Sequence, residues 1–228
     1  MLRGCPGRRF LNIVHRILVI IGLLPIFAAL IARQAARGRV RRVENERRGA
    51  PDAMSARELA REVLRAGGVD AEVVAQGSGW FPSLTGPLRI PADCAEACDV
   101  VSLGIAVQEA GMRLLAGREP KALETRLQVL RFGAAAPAMA VLVAVFAGIV
   151  MHWAFMWILV GVVLISGFAS LLQLLGTSVE LHAAVLGSSA MRKIPAMRRF
   201  ADLEAIEAAA RAAAWRRCLP ASLAWILP

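Results

Sequence analysis

The sequence predicts a mainly α-helical integral membrane protein, with an N-terminal span, a small α(+β) cytoplasmic domain, a transmembrane helical hairpin and a C-terminal helix. Three observations carry this. Phe132–Val179 runs for forty-eight residues without one Asp, Glu, Lys or Arg. A second uncharged run, Ile17–Ala32, lies near the N-terminus, and basic residues crowd beside both. The 228 residues are 57% hydrophobic with a mean hydropathy of +0.57, yet 19% are charged, so polar and lipid-facing segments are both represented.

The N-terminal anchor is assigned to residues 1–33. Its apolar part extends back through Leu11–Val14 to about 20 residues, enough to cross a bilayer core, and no small-x-small cleavage pattern follows it. A retained anchor is therefore expected rather than a cleaved signal. Seven arginines come directly after it (Arg33, Arg37, Arg39, Arg41, Arg42, Arg47 and Arg48), and the basic side of a span normally stays cytoplasmic.

Residues 34–131 read as a small folded domain that opens, near Glu44, with a loop rich in Arg, Gly and Pro. Ser55-Ala56-Arg57-Glu58 has the form of a capping box, Leu59, Val63 and Leu64 recur at helical spacing, and Gly67-Gly68 stops the helix. Val69–Val74 and Leu88–Pro91 are short extended pieces around a Gly/Trp/Pro turn. Helices are expected at Ala92–Asp99 and Val101–Leu115, with Gly117 as a stop and Pro120 opening the next helix. Cys94 and Cys98, four apart, would share a helix face, but no second pair completes a metal site.

Residues 132–179 exceed one membrane crossing more than twofold, so the chain must turn back. Met151-His152-Trp153-Ala154 is the expected turn between helices at about Ala134–Val150 and Phe155–Leu175. Arg118, Lys121, Arg126 and Arg131 precede the hairpin and Arg192, Lys193, Arg198 and Arg199 follow it, so all three basic clusters fall on one side. Residues 180–228 hold an Ala-rich helix over Asp202–Ala214 and an uncharged tail too short to cross a membrane. The net charge of +10 follows this topology, and no nucleic-acid-binding pattern accompanies it.

On the Val101–Leu115 helix, Ile105, Gln108, Glu109 and Met112 share one face, which by spacing alone is an amphipathic stripe. The order of elements adds to this. Ser55–Leu64 with its glycines, Leu88–Pro91, Ala106–Met112 and Thr177–Ala184 together resemble segments of the membrane-bound neutral zinc metallopeptidases of the YugP type. That family has an N-terminal span, a short domain ending in an H-E-x-x-H helix, a hydrophobic hairpin and a P-x-E-F-x-A-S-like segment after it.

The resemblance implies that Gln108 and Met112 stand where the family's two zinc-binding histidines stand, that Glu109 occupies the general-base position, and that Glu180 corresponds to a third metal ligand. Gln108 offers a neutral amide and Met112 a thioether better suited to Cu(I), so the zinc shell is degenerate. His182 lies two residues beyond Glu180, about 200° around a helix, and His15 and His152 are placed on distant segments. The expectation is a multi-pass inner-membrane pseudoprotease with Glu109 as a vestigial base, no bound metal or cofactor, and no nucleic-acid partner. Its partners would be the lipid bilayer and another membrane protein or peptide segment, held in the former cleft. Two alternatives stay open: a working zinc peptidase with a substituted ligand, and an unrelated membrane structural protein.

Overall fold

The computed structural model describes residues 6–46, 54–76, 81–82, 86–150, 155–195, 197 and 203–226. The chain is mostly helical and forms two compact units. One unit comprises Met1–Ile31, Val129–Leu175 and Leu219–Pro228, and the other Ala32–Gln128 with Gly176–Cys218. The segment after Gly176 thus packs with the first polar segment rather than forming a separate C-terminal region. The long helices α1 (Pro6–Glu46), α5 (Pro120–Ile149) and α6 (Phe155–Met191) each contribute to both units.

In the apolar unit, α5 and α6 run antiparallel. The Phe132 and Phe168 rings meet edge to face at 6.2 Å, and Gly148 lies opposite Ile158. Helix α1 runs parallel to α6, with the His15 and Trp157 rings 4.2 Å apart and Gly22 against Val163 and Gly167. A Cβ at Gly167 would fall on the carbonyl oxygen of Gly22, so glycine here permits backbone-to-backbone contact. The large apolar side chains point outward: among the described residues, all the exposed ones apart from Phe81 and Val185 belong to this unit. The expected turn at 151–154 lies outside the described residues.

The second unit is inverted, with its apolar residues inside. Helix α2 (Ala56–Ala66) starts on the expected capping box. The Ser55 hydroxyl accepts from Glu58 N at 3.3 Å, and Ser55 N donates to the Glu58 carboxylate at 3.1 Å. Strands β1 (Val73–Ala75) and β2 (Leu88–Ile90) pair in parallel, Val73 opposite Leu88. Helix α3 (Ala92–Ala95) is a single turn, shorter than the expected Ala92–Asp99. Asp99 instead caps α4 (Val100–Arg118), accepting from Ser102 N at 3.0 Å, because a carboxylate satisfies an orphan N–H better there than in a helix interior. Cys94 and Cys98 consequently do not share a helix face.

Helix α4 is the centre of this unit. It packs on α2, on β2 and on α7 (Leu203–Ala214), and its Gly111 meets the backbone of Ala183 on α6. Among the described residues it is one of four helices long and apolar enough to cross a membrane by length and composition. Yet 67% of its apolar window is buried by the protein itself, against 22% for α1 and α5. It is apolar because it is a core helix.

Two further departures concern helix ends. Helix α1 does not stop after residue 33 but carries the arginine-rich segment on to Glu46, and α6 continues unbroken past Val179 to Met191. Arginine is a strong helix former, so charge ends the apolar run without ending the helix. A 3₁₀ turn, Trp215–Arg217, and the short α8 (Ala221–Ile226) close the chain.

Candidate functional site

The sequence singled out four positions, and all four are buried within the second unit. Gln108 and Met112, on α4, have no accessible surface; Glu109, beside them, is 3% exposed, and Glu180, on α6, has none. His182 is exposed on the opposite face of α6, whose regular backbone holds it away from Glu180.

Buried carboxylates demand compensation, and here arginines supply it. Arg217, in the 3₁₀ turn, donates from Nη2 to Glu109 Oε1 at 2.6 Å, and Arg216 donates to the same oxygen at 3.1 Å. Arg126, on α5, donates to Glu180 Oε1 from Nε at 2.9 Å and from Nη2 at 2.6 Å. The same Arg126 Nη2 also reaches the backbone carbonyl of Arg217 at 3.2 Å, which joins the two pairs into one network. Arg126 and Arg217 are among the largest fully buried side chains of the protein.

The electrostatics follow from this placement. Burial alone would lower the pKa of Arg217, but Glu109 and Glu180 together outweigh it and raise it, fixing the positive charge. Arg216 is lowered, first by burial and then by neighbouring Arg217, with only partial relief from the two glutamates. Three guanidinium groups thus face two carboxylates. Met112 packs with Leu115, Leu123 and Ala183 in a small apolar cluster, which is a thioether filling space. Gln108 is buried with no hydrogen bond to either amide atom, and Glu180 Oε2 has none.

These side chains do not fit zinc. Catalytic zinc takes three protein ligands and an open position for water. Here Glu109 Oε1 is occupied by two N–H donors and Glu180 Oε1 by two more, while Gln108 and Met112 supply no imidazole. Among the described residues no group of three or more His, Cys, Asp or Glu is placed to hold a metal ion. A general base also needs a free lone pair, and Glu109 Oε1 accepts from the guanidinium groups of both Arg216 and Arg217.

Sequence reasoning missed Arg126, Arg216 and Arg217 as members of the site. The available signal was indirect, since two glutamates destined for burial without metal ligands require cations, but the partners lie 54 and 107–108 residues away in the chain. No family model, curated protein or solved structure matches the chain.

Proposed function

We propose that this protein is a multi-pass membrane pseudoprotease: a relative of YugP-type zinc metallopeptidases in which an arginine network fills the place of the metal. The observation that carries this reading is the Arg217–Glu109 and Arg126–Glu180 network, located where the resemblance puts the general base and the third metal ligand. The guanidinium groups supply the positive charge that zinc would bring, but they offer no open coordination position and no activated water.

On this reading α1, α5 and α6 cross the membrane and α4 does not. The parallel run of α1 with α6 and the antiparallel run of α5 support a topology in which their arginine-bearing ends share the cytoplasmic side. The cell membrane is the location, and the bilayer and another membrane protein are the partners. Close α4–α6 packing at Gly111 and the filled polar centre direct any binding role to the outer surfaces of the second unit rather than to a cleft between these helices.

The test is the zinc content of detergent-purified protein beside a Glu180→Ala variant. Zinc at the same background level in both is expected. Stoichiometric zinc that disappears in the variant would overturn the reading in favour of a working peptidase.

A further inference from the structure

Arg216 has a second environment. Besides its bond to Glu109 it lines a cavity of about 280 Å³ in the second unit, which Arg33, Arg37 and Arg41 from α1 also line. These three stand at i, i+4 and i+8, one face of a helix. The remaining lining is apolar, including Val40, Val101 and Ile105, and among the described residues no acidic side chain lines it.

Four arginines lining an otherwise apolar cavity suit an anion with hydrocarbon attached. Arg216 also shares Glu109 Oε1 with Arg217, at 3.1 and 2.6 Å. A volume slightly below that of pockets for drug-sized ligands suits a headgroup with its first methylenes, not a whole lipid. Along α1 the arginines follow directly on the apolar run, whose last large residue is Ile31. Arg33 and Arg37 come about 3 and 9 Å later at the helical rise, which is the depth of the headgroup layer next to a span.

We infer that this cavity is a binding site for the phosphate headgroup of an acidic phospholipid, clamped between Arg33, Arg37 and Arg41 on α1 and Arg216 beside α7. The inference rests on the membrane reading above and is independent of whether the arginine network descends from a zinc site. Guanidinium forks match phosphate oxygens, and basic pockets beside spans recognise acidic headgroups.

The full chain is reconstituted in nanodiscs of phosphatidylcholine and phosphatidylglycerol (about 4:1), and bound lipid is then counted by native mass spectrometry after detergent extraction. Two variants with equal loss of charge are compared: Arg37→Gln/Arg41→Gln in the cavity wall, and Arg39→Gln/Arg42→Gln outside it on the same helix. The wild type and the second variant should retain phosphatidylglycerol selectively. The first should bind it roughly 30-fold more weakly, about fivefold per arginine. Equal loss in both variants, or in neither, would overturn the site. Protection of the wild type against thermal unfolding by inorganic phosphate alone, as strong as that by the lipid, would overturn the lipid assignment in favour of a free phosphate. Extraction of the wild type from membranes by alkaline carbonate would instead count against the membrane reading itself.

Discussion

The two units of this chain solve opposite problems with the same residue types. In the unit built from Met1–Ile31, Val129–Leu175 and Leu219–Pro228, large apolar side chains such as Leu142, Phe146 and Phe155 face outward, and the inner contacts are made by small residues such as Gly22 and Gly167. In the other unit Leu59, Leu64 and Ile90 are buried, and so are Glu109, Arg126, Glu180 and Arg217. On the membrane reading proposed above, water around the second unit drives its apolar residues inward, whereas hydrocarbon around the first would leave helix contact to close packing. A buried charge is therefore the costliest feature of the second unit, and close backbone approach is the feature the first depends on.

The largest effect should come from breaking an ion pair inside the second unit. Arg126→Met leaves Glu180 buried without its cation and should cost about 3–5 kcal/mol in denaturant titrations, while adding Glu180→Leu should restore most of it. In the apolar unit the corresponding break is steric: Gly167→Val forces a side chain onto Gly22 and should cost about 1–3 kcal/mol, seen as a lower Tm in detergent. Removing the cap with Ser55→Ala should cost only about 1 kcal/mol, because a single orphan N–H is lost at an accessible helix end.

The smallest effect is chemical. Burial pushes the Cys218 thiol up to about 11, so in the native protein its alkylation should stay slow until the pH approaches that value. Because the fold favours the protonated form, the stability linked to this thiol should be intact below about pH 9 and lost as pH rises through about 11. A native thiol reacting fully at pH 8 would contradict the burial of this segment.

The helices were legible because their signals are local. The capping box at Ser55, Pro120 at the start of α5 and the uncharged run after Phe132 each declare themselves within a few residues. Asp99 was misplaced because its cap competes with helix continuation over a single residue, and the helical course of Arg33–Arg42 was hidden because a fall in hydropathy resembles a helix end. The polar centre was half legible. Gln108, Glu109, Met112 and Glu180 were reached through resemblance, but Arg126 and Arg217 looked like ordinary basic residues among 27 in the chain. Their role depends on tertiary placement, which no local pattern encodes. Arg216-Arg217 in particular stand in the sequence as two more basic residues ahead of an uncharged tail, although burial makes Arg217 the counterion of Glu109.

The central claim is that Glu109 is held by arginine and is not a base awaiting a metal. The most direct measurement is a double-mutant cycle of unfolding free energies with Glu109→Gln, Arg217→Met and both together. A coupling of about 2–3 kcal/mol between the two positions is expected. Additivity within about 0.5 kcal/mol would contradict it, since Glu109 would then be free of Arg217 and available for chemistry.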